Sequence, residues 1–249
     1  MLFGWVALMA CGLEPLGYEP GSEWSTDVDR GDPVDPIVYP SDTDDRILLY
    51  SGHGGNRLIP RTAVSDAWVA AGWTVETADN WPADFDGFRM VMMNNVGSRA
   101  AGGQFNADET EQIAQALSDG TRFVFAQRNG ACGSTALLGL LDFGLASPVM
   151  FNGESITASS SFTLEDLESA SQPMQGVSAL DVTNPCEVLV SGAGESLASG
   201  DAGSTIVASY RPGGAGDIVL VGDMMLFADP GQEFGGNQRF AENLAAVVP

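Results

Sequence analysis

From Arg46 onward the chain alternates between short, almost wholly apolar runs and longer stretches whose apolar residues recur at helical spacing. RILLYSG (residues 46–52), FRMVMMN (88–94), TRFVFAQ (121–127) and DIVLVG (217–222) lack the in–out alternation of a half-exposed strand, so each predicts a strand buried on both faces. Residues 73–78 and 205–210 predict two further strands. Between the strands, Val64, Ala67, Trp68 and Ala71 share one face of a helix over 61–71, with Gly72 as its stop. Ile113, Ala116 and Leu117 do the same over 106–117, where Asn106 and Glu109 have the spacing of a capping box. Leu137, Leu138 and Leu141 mark a helix over 134–141, and Phe240, Leu244 and Val247 mark one over 237–248.

Strands alternating with helices at these intervals predict an α/β fold. It is a three-layer α/β/α arrangement around a mostly parallel, flavodoxin-like sheet. The runs at 46–52, 88–94, 121–127 and 217–222 belong at its centre. Residues 150–204 break the pattern: they are rich in Ser, Gly and Thr, with short alternating runs such as GESITAS and CEVLVSG. This segment predicts an antiparallel excursion or a set of edge strands covering the sheet.

Charge changes the picture of partners. The chain holds 33 acidic residues against 10 basic ones, every one of them Arg, for a net charge of −23. Without Lys there is no Schiff-base lysine and no P-loop lysine. The net charge repels phosphate backbones, so nucleic acid is excluded as a partner. One His and three Cys give no cluster with transition-metal spacing, and no metal or other cofactor is expected.

The acidic residues concentrate in residues 12–45, where Glu14, Glu19, Glu23, Asp27, Asp29, Asp32, Asp35, Asp42, Asp44 and Asp45 face Arg30 alone. Interspersed with Pro and Gly, they predict an extended, disordered tether, because repelling charges cannot build a core. Asp27, Asp29, Asp32 and Asp35 suit weak calcium contacts, but the spacing and closing Glu of a calcium loop are missing. Residues 1–11, MLFGWVALMAC, are too short for a membrane span. With Leu8-Met9-Ala10-Cys11 they resemble the signal and lipobox of bacterial lipoproteins. That resemblance implies lipidation of Cys11, export, and attachment to the cell envelope through an N-terminal lipid anchor. The expected organisation is thus 1–11 signal and lipobox, 12–45 tether, and 46–249 a single α/β domain with 150–204 as an excursion inside it.

The order RILLYSGHGG, FRMVMMNN, DGTRFVFAQ, ALLGLLDFGL, GDIVLVGDMMLF, NQRFAENLAAVV resembles the class I glutamine amidotransferase-like superfamily. It is most similar to the non-amidotransferase branches, the ThuA-like proteins and the gliding-motility auxiliary domains. The positions carrying this resemblance are Gly216, Gly222, Asp223, Phe227, Asn243 and Leu244. It spans roughly residues 46–248 and implies a fold more directly than an activity.

Gly130-Ala131-Cys132-Gly133-Ser134 lies between a predicted strand and a predicted helix, the layout of a nucleophile elbow. The superfamily's His after the late strand is absent, since Gly222 is followed by Asp223, Met224 and Met225. A parallel sheet would nevertheless bring His53, Asn95, Cys132 and Asp223 to one edge. Two readings follow. In one, Cys132 and His53, with Asp223, form a cysteine-dependent hydrolase or amidotransferase. In the other, export uses Cys11 for lipid, and the remaining pair, Cys132 and Cys186, forms a disulfide. The domain then binds without catalysing, and His53, Gly54, Asn56, Asn95 and Asp223 are the candidate groups for a small-molecule or protein ligand. A third reading, by analogy with the ThuA-like proteins, is a carbohydrate-associated role.

Overall fold

The buried runs pair as their composition requires, into one eight-stranded sheet. The computed structural model describes residues 46–55, 62–96, 104–128, 132, 149–155, 161–164, 166–200, 203–213, 215–227 and 235–246. The expectations for residues 1–45 and for a helix over 134–141 lie outside these residues.

Strands β1 (Arg46–Tyr50), β2 (Thr74–Ala78), β3 (Phe88–Asn94) and β4 (Arg122–Ala126) are followed by β5 (Val149–Ser155), β6 (Ser161–Leu164), β7 (Asp166–Leu167) and β8 (Leu180–Thr183). Then come β9 (Cys186–Val190), β10 (Glu195–Ser199), β11 (Thr205–Tyr210) and β12 (Ile218–Val221). Helices α1 (Thr62–Ala70), α2 (Ala107–Ser118) and α3 (Gly235–Ala245) complete the described framework, with 3-10 turns at Gln172–Met174 and Met224–Phe227.

The main sheet runs β2-β1-β3-β4-β12-β11-β10-β7. Its first five strands are parallel, and β11, β10 and β7 extend it antiparallel. The four runs expected at the centre occupy adjacent places: β1, β3, β4 and β12. β3, β4 and β12 are nearly sealed, with all of Val91, Met92, Phe123, Val124, Val219 and Leu220 buried. β2 is the sheet's edge, which explains why its polar Thr74, Glu76 and Thr77 are tolerated.

The two sheet faces carry separate cores. Ile47, Met90, Met92, Val124 and Val221 pack with Val64 and Trp68 of α1 and with Phe240 and Leu244 of α3. The Trp68 indole donates to the Ala241 carbonyl at 3.0 Å, fixing α1 against α3. On the other face Leu48, Tyr50, Val91, Phe123 and Phe125 pack with Ile113 and Leu117 of α2.

The segment expected as an excursion divides between the layers. β7 and β10 join the main sheet, while β5–β9 and β6–β8 form two-stranded antiparallel ribbons. Val149, Phe151 and Val188 of the first ribbon join the α2-side core. Leu164, Leu180 and Val182 of the second join the α1/α3-side core. The excursion therefore covers both faces of the sheet.

Topology sets where a site can form. The chain steps from β1 out to β2, then returns past β1 to β3. Connections leaving β1 and β3 thus diverge, and open α/β sheets leave a crevice at the carboxyl ends of such a strand pair.

Candidate functional site

At that crevice the backbone is forced. β1 ends at Tyr50, two residues earlier than its apolar run predicts, because the chain turns at once into a tight loop. A side chain on Gly52 would overlap the Tyr50 ring and approach the Asp79 carbonyl oxygen at 2.6 Å, so only glycine fits there. His53 and Gly54 then take left-handed conformations, with φ of 53° and 74°. Across the crevice Asn95, the first residue after β3, has φ 51°. Left-handed non-glycine residues cost backbone energy and collect at functional sites. Two of the three among the described residues flank this one crevice.

His53 is held on both sides. Its Nδ1 lies 2.6 Å from the Tyr50 hydroxyl and its Nε2 lies 3.1 Å from Oε2 of Glu109. With a proton on Nε2, the ring donates to the Glu109 carboxylate and accepts from the Tyr50 O–H, so both nitrogens are satisfied. The same Glu109 oxygen accepts from the Asn106 backbone N–H at 2.8 Å, and the Asn106 side chain accepts from the Glu109 N–H at 3.0 Å. The capping box read from the sequence is present, and its acidic member also anchors the only His in the chain.

Aromatic rings enclose the imidazole. Phe105 meets it edge-on at 5.1 Å and Trp81 at 5.3 Å, with Tyr50 tilted at 5.7 Å. Trp81 is pinned to α2, its indole donating to Oε1 of Gln112 at 2.5 Å. Burial, reinforced by the nearby Glu109 charge, pushes the Tyr50 phenol up to about 12. Tyr50 therefore stays protonated at neutral pH and serves as a hydrogen-bond donor, not a base.

Two amide oxygens at the carboxyl ends of β3 and β4 are buried and unpartnered among the described residues: Oδ1 of Asn95 and Oε1 of Gln127. The Gln127 amide nitrogen donates to the Val96 carbonyl at 3.2 Å, and the Asn95 backbone N–H to the Ala126 carbonyl at 2.8 Å. Gln127 follows β4, whose alternate member Phe125 faces the α2 side, the side of Tyr50 and Phe105, and its amide reaches Val96 of the same core; Asn95, left-handed, leaves the β3 register.

The remaining sequence candidates separate from this group. Asp223 is fully buried and follows β12, three strand spacings from β1, roughly 14 Å. Its carboxylate accepts from the Thr183 backbone N–H and from the Met225 N–H at 2.9 Å, holding β8 and the 3-10 turn. Burial pushes its carboxyl up to about 6, against the pull of those backbone donors and of the Arg128 charge. Its neighbours Met224 and Leu226 belong to the α1/α3-side core, the face opposite Tyr50.

Cys132 is joined to Cys186 in a disulfide with Cα atoms 5.3 Å apart, the pairing expected for an exported chain. Both cysteines are buried in the α2-side core, and no free thiolate is present at the elbow position. Gly222 makes this possible: a side chain there would collide with the Cys186 carbonyl, which lies directly against it. The Cys186 N–H in turn donates to the Gly222 carbonyl at 2.6 Å.

His53, Gly54 and Asn95 thus come together at the switch point, while Cys132 is consumed in a disulfide and Asp223 supports the opposite face. Asn56 and Cys11 lie outside the described residues. Tyr50, Trp81, Phe105, Glu109 and Gln127 escaped the sequence reading. Glu109 carried a signal, its capping-box spacing, but that spacing explained it fully without His53.

No protein-family profile matches the chain, and neither does any curated protein sequence. Solved structures do. The mmIFT52 N-terminal domain is similar at 13% identity with a TM-score of 0.63, covering 79% of this chain and 94% of that one. A ThuA-like protein from Bacteroides uniformis has 10% identity and a TM-score of 0.55, covering 84% and 93%. A glutamine amidotransferase from Thermotoga maritima has 12% identity and a TM-score of 0.50, covering 80% and 97%. At these identities the likeness shows the fold alone: a class I glutamine amidotransferase-like α/β fold.

Proposed function

We propose that this is a cell-envelope lipoprotein, anchored through Cys11 and spaced from the membrane by residues 12–45, whose amidotransferase-like domain binds a small ligand without transforming it. The binding site is the crevice between the carboxyl ends of β1 and β3. One observation carries the reading. Among the described residues, the candidate base His53 and the elbow sulfur are already committed, while two buried amide oxygens, of Asn95 and Gln127, have no donor. His53 bridges Tyr50 and Glu109, and the elbow sulfur is in a disulfide. A site of unmet acceptors beside aromatic rings suits a neutral ligand rich in hydroxyl or amide donors. Among such ligands, a saccharide is the class that the likeness to ThuA-like proteins suggests.

The test is calorimetric titration of the full chain with neutral mono- and disaccharides and with polyols, repeated on Asn95→Gly and Gln127→Met. Glycine keeps the left-handed backbone at 95 and removes only the amide. Binding that either substitution abolishes supports the reading. Binding that survives both, or no binding at all, refutes it, as does glutaminase or esterase turnover that is lost on replacing His53. The anchor is tested separately by mass spectrometry of the native protein. An acylated N-terminal Cys11 is expected, and an unmodified Met1 would sink that part.

A further inference from the structure

The opposite, amino-terminal edge of the sheet holds two adjoining cavities that the site above does not use. One, of about 210 Å³, opens between the start of β3 and the C-terminal part of α2; the other, of about 90 Å³, lies between β4 and the end of α3. They share Arg89, Asp119 and Gly120.

Arg89 is the anomaly. The guanidinium of Arg122 in the smaller cavity is saturated: it grips both oxygens of Asp217 at 2.7 and 2.9 Å and donates to the Leu244 carbonyl at 2.7 Å. Arg46 is paired with Glu76 and Arg239 with Glu242. Arg89 has no ion pair among the described residues, and its Nε is buried without an acceptor. This holds in a chain of net charge −23 and inside a cavity also lined by Asp84, Asp86 and Asp119. An arginine cannot shed its proton to escape the mismatch.

The carboxylates nearby do not turn to it. Oδ2 of Asp119 accepts from the Gln115 amide at 2.8 Å, and Oδ1 of Asp84 from the Asp86 N–H at 3.1 Å. The exposed Asp86 carboxylate has no donor among the described residues.

We propose that this cleft is a second binding site and that it takes a small zwitterion of amino-acid type, with its carboxylate on Arg89 and its ammonium group facing Asp84 and Asp86. Each feature removes an alternative. A plain cation leaves the Arg89 guanidinium without a counter-ion. A phosphate or other dianion meets three carboxylates and a strongly negative chain. A drug-sized molecule exceeds the cavity, which is smaller than such sites require. A ligand carrying both charges satisfies Arg89 and the acidic wall together, and a planar carboxylate matches the guanidinium fork.

The experiment follows the Arg89 side-chain Nε–H resonance and the backbone amides of Gly87 and Gly120 by NMR. The full chain is titrated with L-alanine, L-serine and L-glutamine, then with acetate and ethylamine. At least one amino acid should shift all three signals, with acetate and ethylamine each binding at least about tenfold more weakly. Arg89→Gln and Asp86→Asn should each weaken that amino acid at least about tenfold. Asp86 is exposed, so its variant decides the matter if the Arg89 variant does not fold. The proposal fails if no amino acid moves these signals, if acetate binds as well as the amino acid, or if Asp86→Asn binds unchanged. It also fails if the shifts appear at Gly52, Gly54 and Gly55, at the other edge of the sheet. Because the two sites lie at opposite edges, loss of one reading leaves the other standing.

Discussion

Nε2 of His53, in the loop after β1, lies 3.1 Å from Oε2 of Glu109, in the first turn of α2. One carboxylate therefore caps a helix and positions the imidazole, coupling the left-handed loop to the helix start. Glu109→Gln keeps an acceptor for the Asn106 N–H and should lower stability only slightly. Glu109→Ala removes both contacts and should cost about 1–2 kcal/mol, the scale of a lost helix cap. Urea unfolding of the two variants checks this. Equal losses would show that the acceptor kept by Gln contributes nothing and would refute the capping part of this account.

The Cys132–Cys186 disulfide closes a separation of 54 residues between the loop after β4 and β9. Replacing either cysteine by Ser should cost about 2–5 kcal/mol. Thermal melts with and without reductant should separate by a similar amount for the native chain and coincide for the variants. Native protein should resist iodoacetamide at Cys132. Rapid alkylation there would contradict the bond.

Asp223 carries a pH dependence whose sign follows from its burial. Its carboxyl titrates near 6 in the folded protein, against the ordinary 3.8, so the folded state holds the proton more tightly than the unfolded chain. The stability this group contributes is fully present below about pH 4, fades as pH rises through about 6, and is absent above. The difference is on the order of 3 kcal/mol. Subtracting unfolding curves of Asp223→Asn from those of the native chain isolates this slope from the many other carboxyls. A flat difference between pH 4 and 6 would refute the assignment.

Arg122 and Asp217 form a buried, two-pronged ion pair, their side chains only 6% and 11% exposed. Asp217→Ala strands the guanidinium and should cost about 3–5 kcal/mol. The double variant Arg122→Met with Asp217→Leu should recover much of that loss, because the desolvation of both charges disappears together. Denaturant unfolding of the single and double variants is the measurement. A double variant no more stable than Asp217→Ala would contradict this account.

The parts of this protein legible in its residues are those whose causes are local. The apolar runs of β3, β4 and β12 marked strands sealed on both faces, and the spacing of Asn106 and Glu109 marked the start of α2. The order of these elements implied a mostly parallel sheet, and the two cysteines of the α/β region left one another as partners. Periodicity, capping and turn chemistry act within a few residues, so a linear reading reaches them.

What joins distant segments was decided only in three dimensions. The sequence pointed to a shared edge for His53 and Asp223, but alternation along their strands sends their neighbours to opposite faces of the sheet. Nothing in the spelling of residues 150–204 assigned β7 and β10 to the sheet and the two ribbons to its opposite faces. Tyr50, Trp81 and Glu109 surround His53 because a sheet edge, a loop and a helix end meet there, 56 residues separating Glu109 from His53. Arg89 shows the same limit: its charge is written in the sequence, but its lack of an ion pair among the described residues is a property of the packed fold.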